Sequence, residues 1–233
     1  MEPIFTLAAF TPAEAATITG VSTALQLDWR RHGYLPSNDG HARYDAFDLA
    51  RMLVMKLLAD KGVGPKHTAD NEDGTTIGDL ADWCAAGVVL RAMKWVEAWS
   101  GDYDGGIEVS KVLPEGSETC VFTMLSSNPD EAKKVIWAAV DASDWSARAD
   151  YLMVQLFRSL DRPLVSPADY FIWWADGEHC FHDSVDTAIG ELSTGDPKTS
   201  GPIVVLSFIS LADQLQERAA RPLCCVEFHS DKE

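Results

Sequence analysis

The first 62 residues alternate short apolar clusters with cap-forming and turn-forming residues in an order that predicts three helices. Thr11-Pro12-Ala13-Glu14 has the form of a capping box. Thr11 can accept from an amide one turn on, proline suits the first helical position, and Glu14 can reach back to the cap amide. A helix is therefore expected through Ile18, stopped by the turn at Thr19-Gly20. Ser22 can cap a second helix running to about His32, where Gly33 ends it. Two short helices joined by a tight glycine turn make a helix-turn-helix. Tyr34-Leu35-Pro36 and His41-Ala42-Arg43-Tyr44 flank the turn formers Ser37-Asn38-Asp39-Gly40, and two short arms around an Asp-Gly turn predict a wing. Asp45 can cap a third helix, with Leu49, Ala50, Leu53 and Leu57 at core spacing and Gly62 as its stop.

The second helix divides into two faces at about 100° per residue. Leu25, Trp29 and His32 fall together and are expected to pack inward. Thr23, Gln26, Leu27, Arg30 and Arg31 fall on the other side, which suits a helix that enters a DNA groove.

Beyond residue 68 the pattern is mixed. Residues 69–75 are polar and acidic and read as a linker. A helix is expected over 77–99, weakened by Gly87, then a strand over 119–125 and helices over 129–140 and 147–160. Segments 170–174 and 178–182 flank Ala175-Asp176-Gly177 and predict a hairpin. A buried strand over 203–208, a helix through Arg218 and a last strand over 223–228 complete the pattern. The expected class is α+β, with a winged helix-turn-helix at 1–68 and a larger mixed domain at 76–233.

Charge sharpens this division. The 233 residues carry a formal net charge of −17, which at first sight argues against nucleic acid. Residues 1–68 hold seven Lys/Arg and seven Asp/Glu, however, so the whole excess lies in the rest of the chain. What matters for DNA is whether the N-terminal cations share one face. No apolar run approaches the roughly 20 residues of a membrane span, and the N-terminus lacks the basic start and apolar stretch of a signal peptide, so no membrane is expected and the cytoplasm is the default. The five cysteines are scattered without CxxC spacing and read as reduced thiols.

Val21-Ser22, Trp29, Gly33-Tyr34-Leu35-Pro36, Arg43-Tyr44, Asp48-Leu49-Ala50-Arg51 and Gly62 occur in the order and spacing of a MerR-family N-terminal domain. The resemblance covers about residues 5–65. It implies a second helix in the major groove that places Thr23 and Arg30 near bases or phosphates, with Arg43 and Tyr44 of the wing gripping the backbone beside it. Trp29 matches a position that in the family can contact phosphate, while its helical face assigns it to the core. Ala24 and Leu27 stand where members often carry arginine, and His41-Ala42 where another basic or aromatic group is common. The family's long dimerising helix has no counterpart in a sustained heptad over 77–99. Family members typically act as dimers on two-fold sites. The expected DNA-contacting set is Thr23, Gln26, Leu27, Trp29, Arg30, Arg31, His41, Arg43 and Tyr44.

Two features outside this module admit a sharp and a bland reading. Glu178-His179-Cys180-Phe181-His182-Asp183 contains every common metal-ligand type, but the spacing defines no site and an ordinary hairpin is the expectation, with no metal and no cofactor. Seven of the eight tryptophans follow residue 68 and serve either a core or an aromatic pocket for an effector. Trp173 and Trp174 are not expected both to face inward on one strand, so one should sit at an interface or pocket. No GxSxG, P-loop, GxGxxG or HExxH motif is present, so enzymatic chemistry finds no support. The expected function is that of a sequence-specific DNA-binding transcription regulator, more a repressor than a promoter-remodelling activator, acting as a homodimer on double-stranded DNA. The alternative is an adaptor whose acidic C-terminal domain binds a protein partner and whose winged module docks protein.

Overall fold

The structure, a computed structural model, describes residues 3–37, 41–67, 75–92, 107–109 and 168–228. The architecture is mixed α+β. The chain divides into two compact units, one of Met1–Ala8, Met93–Leu164 and Arg221–Glu233, the other of Ala9–Ala92 and Val165–Ala220.

In the first unit, strands β1 (Pro3–Leu7), β2 (Ile107–Val109) and β6 (Cys224–Phe228) form a sheet in the order β1-β6-β2. Strand β6 pairs antiparallel with β1, Leu7 opposite Cys224, and parallel with β2, Ile107 opposite the same cysteine. The strand over 223–228 is legible in the sequence; β1, a short apolar run without turn signals, is not.

The second unit opens with the expected helices. In α1 (Pro12–Thr19) Thr11 and Glu14 form the capping box, with amide contacts of 3.2 and 2.6 Å, and Gly20 ends the helix in the left-handed region at φ 74°. Ser22 caps α2 (Thr23–Arg31) through the Leu25 amide at 3.3 Å. Asp45 and Asp48 cap each other reciprocally at the head of α3 (Ala46–Ala59). Residues 38–40, the predicted tip of the wing, lie outside the described residues. Tyr44 forms an antiparallel bridge with Phe10, their amides and carbonyls exchanged at 2.8 and 2.9 Å, so the strand entering α3 is anchored ahead of α1.

Helix α4 (Ile77–Ala92), expected to lead the C-terminal domain, belongs to the same compact unit as α1–α3 and packs against α3. Twelve of its sixteen residues are buried, and only Asp79, Asp82, Trp83 and Arg91 keep solvent exposure. A helix with so narrow an exposed strip belongs largely inside a core. The continuation of the 77–99 helix, the linker but for Thr75, and the elements expected over 119–125, 129–140 and 147–160 lie outside the described residues.

The same unit is completed by β3 (Tyr170–Trp173), β4 (His179–His182), α5 (Val185–Gly190), β5 (Val204–Ser207) and α6 (Phe208–Arg218). The predicted hairpin forms, with Ile172 opposite Cys180 and Gly177 at φ 92° in its turn. The sheet order is β4-β3-β5, and both pairings are antiparallel. Strand β5 is only partly buried, Leu206 alone being enclosed, because it lies at an edge and β3 takes the centre.

The central position of β3 corrects the expectation for the tryptophan pair. Trp173 and Trp174 are both buried, 8% and 3% exposed. Phe171 and Trp173 meet the rings of Phe181 and His179, and Phe181 in turn meets Phe208 of α6. Ile172 and Trp174 lie on the other side with Ala188 of α5, Cys180 and Leu192. Helices cover both faces, so alternate residues are both enclosed.

Helix α6 also packs against α1, α3 and α4. Arg218 donates to the Ile18 carbonyl at 3.1 Å, satisfying one of the open carbonyls at the end of α1. Gln216 donates to the Ala92 carbonyl at the end of α4. Arg91 of α4 pairs with Asp169 through two contacts of 2.6 and 2.9 Å to one carboxylate oxygen.

Candidate nucleic-acid interface

Helix α2 is the element expected to enter a groove, and burial along it defines the surface it presents. Thr23, Ala24, Leu27, Asp28 and Arg31 are exposed, Leu25 and Arg30 are half-buried, and Gln26 and Trp29 are enclosed. Two positions therefore depart from the sequence-based faces. Gln26, placed outward by its helical angle, is 1% exposed, and its amide nitrogen donates to the Pro12 carbonyl at 3.0 Å and the Val21 carbonyl at 2.8 Å. It ties the head of α1 to the turn between the two helices instead of facing a groove. A buried amide is retained where two backbone acceptors need its donors. His32, placed inward, is exposed instead; it stacks on Tyr34 with ring centres 6.1 Å apart and lies 3.4 Å from the Asp28 carboxylate. The inward stripe runs through Leu25, Gln26, Trp29 and Arg30, keeping Leu25 and Trp29 of the apolar pattern and taking Gln26 and Arg30 in place of His32.

Trp29 lies in the core at 4% exposure, as its helical face requires. Burying an aromatic ring of this kind stabilises by about 1.5–3 kcal/mol. Its backbone carbonyl accepts from the Tyr34 amide at 2.8 Å, which closes the turn after α2 around Gly33 at φ 79°.

The segment after the wing tip splits by residue. His41 and Arg43 are exposed, whereas Ala42 and Tyr44 are buried. Tyr44, expected to grip phosphate, is enclosed at 2% exposure. Burial pushes its hydroxyl above the ordinary phenol range, against which a hydrogen bond and the charge of Arg30 act. That contact sets the 41–44 segment beside the last turn of α2. Arg43 donates to the Ala42 carbonyl at 3.0 Å. The exposed members of the expected set are thus Thr23, Leu27, Arg31, His41 and Arg43, with Arg30 half-buried between them and the core. Leu27, 45% exposed, is a large apolar side chain in water, and its alkyl surface suits the methyl groups that line a major groove.

Arg218 is not a candidate on sequence grounds. Two hundred residues separate it from the carbonyl it caps, and no local signal in the chain announces such a contact.

The ligand-rich run of the hairpin is occupied by other partners. Glu178 pairs with Lys198 at 2.8 Å, and His182 accepts from the Ser184 amide at 3.0 Å through Nδ1. His179 stacks on Trp173 with rings 12° from parallel, and burial holds its imidazole below the usual pKa. Cys180 lies toward the opposite face beside Trp174, its thiol pushed up by burial. Among the described residues, no three His, Cys, Asp or Glu side chains gather where a metal ion would fit. No described helix is long and apolar enough to cross a membrane.

No curated protein and no solved structure matches the chain. Residues 10–71 match the model of a family described as MerR HTH family regulatory protein, and that span contains α1, α2, the wing segment and α3. Over that span the N-terminal module is similar to the helix-turn-helix domain of MerR-family regulatory proteins.

Proposed function

We propose that this chain is a sequence-specific transcription regulator that binds double-stranded DNA through α2 and the 41–44 segment, and that it represses by occupying its site. The observation that carries the reading is the outward face of α2. Thr23, Leu27 and Arg31 are exposed along one helix, while Tyr44 fixes Arg30 and brings Arg43 alongside. Thr23 and Leu27 would meet base edges; Arg31, Arg43 and His41 would meet phosphates, the contacts that orient without specifying. Trp29, Gln26 and Tyr44 would act from beneath by holding that face in place. Repression fits the sparse cations of α2, which leave less affinity for distorting a promoter. The protein works as a cytoplasmic homodimer on a two-fold site, with the acidic residues 76–233 serving dimerisation, sensing or a partner.

Selection of fragmented source-genome DNA on the full chain tests this, with Arg31→Ala/Arg43→Ala as the control. A discrete motif recovered by the wild type alone is expected, an inverted repeat within it marking the dimer. The double variant should bind that motif more weakly and lower the slope of log affinity against log salt by about two. Equal enrichment by both proteins, or none at low salt, refutes the interface and leaves the winged module as a protein-docking element.

A further inference from the structure

The second compact unit contains an open groove of about 730 Å³ whose walls come from two distant stretches of the chain. Lys61 and Val63, which follow α3, form one wall; Trp173, Trp174, Ile203 and Val205, from β3 and the β5 edge, form much of the other. We propose that this groove binds a small aromatic anion, with the ring against the tryptophans and valines and the acid group at Lys61.

Four observations converge on that ligand class. The volume lies within the roughly 300–1,000 Å³ of small-molecule sites, and a predominantly apolar lining with few polar groups is what such sites share. Trp173 and Trp174 are otherwise enclosed, yet both reach the groove, so rigid aromatic surface is offered without being left to water. Trp173 is further fixed by its stack on His179 and Trp174 by its place among Ile172 and Ala188, so neither ring has to be ordered on binding. Val205 is 39% exposed at the sheet edge, an apolar side chain a ligand would cover.

Lys61 supplies the sign. Among the described residues it is the only charged one lining the groove, and no carboxylate among them pairs with it. Lys56, five residues earlier, is by contrast held by Asp60, and Lys198 by Glu178. The chain as a whole is acidic at −17, but charges beyond a screening length of about 8 Å act weakly at physiological salt, so the local ammonium decides. A neutral aromatic would leave that ammonium unused, and a cationic one would oppose it.

The test is a titration of the full chain labelled at its tryptophans, following the indole resonances of Trp173 and Trp174. Phenylalanine at each position in turn gives the assignment. Indole-3-acetate is the probe, with indole and tryptamine as its neutral and cationic counterparts. Saturable shifts of those two resonances are expected with a dissociation constant of about 0.1–1 mM. Indole should bind several-fold more weakly and tryptamine weaker still. Lys61→Glu should weaken indole-3-acetate at least tenfold while leaving indole unchanged, and Lys61→Arg should retain it. Val205→Thr, which keeps the β-branched shape and adds no charge while making this wall polar, should weaken all three. The proposal is overturned if no probe shifts Trp173 or Trp174, if tryptamine binds as well as the acid, or if Lys61→Glu leaves the acid's affinity unchanged.

Discussion

Gly87 offers the sharpest test of how the second unit packs, because two physical effects there have opposite signs. Within α4, an isolated glycine weakens a helix, and alanine in its place should stabilise it by about 1 kcal/mol on propensity alone. In the folded unit, a Cβ at this position would lie 2.7 Å from two ring carbons of Phe208 and 3.4 Å from a third. Phe208 has little room to retreat. It is 2% exposed, its ring meets that of Phe181, and its amide is held by the Asp169 carbonyl at 2.9 Å. Overpacking of a filled core costs about 1–3 kcal/mol, and a contact this short against an anchored ring belongs in the upper half of that range. Packing therefore wins over propensity, and Gly87→Ala should destabilise by about 1–2 kcal/mol net.

Urea unfolding followed by tryptophan fluorescence measures the outcome. With a slope of about 2 kcal/mol per molar, the midpoint should fall by about 0.5–1 M at constant slope. Phe208→Leu removes the colliding ring edge, so Gly87→Ala added to that background should be neutral or stabilising; the double-mutant cycle isolates the contact. A midpoint that rises for Gly87→Ala alone would refute the close crossing of α4 and α6 and leave only the propensity effect.

Three further outcomes follow from individual side chains. Gln26→Leu keeps the volume but leaves the Pro12 and Val21 carbonyls without their donor, so thermal unfolding should show a loss of about 1–3 kcal/mol; an unchanged midpoint would return Gln26 to the outer face of α2. His179 is held below its ordinary value of 6.5 by burial, so as pH falls below that value the unfolded chain takes up the proton first and stability drops, whereas above it this contribution is fully present. His179→Phe should flatten the fall between pH 6.5 and the lower folded value in a series of denaturant midpoints, and an unaltered profile would exclude His179 as its source. Burial pushes the thiols of both Cys84 and Cys180 up, far more so for the fully enclosed Cys84 than for the half-buried Cys180. Iodoacetamide at about pH 8 should therefore label Cys180 well before Cys84, read by peptide mass; equal rates would contradict the enclosure of α4.

Why part of this molecule is legible in its sequence and part is not follows from the range of the interactions concerned. Capping is local: Thr11 and Glu14, Ser22, and Asp45 with Asp48 satisfy amides within three residues, so each helix start is announced by the residues that make it. The hairpin at Gly177 is local in the same sense. The face of α2 is not, since Gln26 joins Leu25 and Trp29 on the inward side through the Pro12 carbonyl at the head of α1 and the Val21 carbonyl of the turn, contacts that hydrophobicity does not announce. Gln26 is polar by composition and core by position because the Pro12 and Val21 carbonyls lie within its reach, and His32, aromatic by composition, is freed to the surface. The same holds for Tyr44, which is enclosed where it meets Phe10 and Arg30 from elsewhere in the chain. Non-local partners also explain why Trp173 and Trp174 can both be enclosed: a strand's alternation forces one residue outward only if one face of the sheet is bare, and α5 and α6 leave neither bare. At the candidate interface, then, type and spacing identify Thr23, Leu27, Arg31, His41 and Arg43 as outward, while only the fold shows that Gln26 and Tyr44 lie beneath them and that His32 faces water. Substitutions at Gln26, Trp29 and Tyr44 should accordingly change DNA binding through the geometry of α2, and substitutions at Arg31 and Arg43 through charge, a difference that salt dependence separates because in the proposed interface the two arginines, and none of the three buried residues, would carry phosphate contacts.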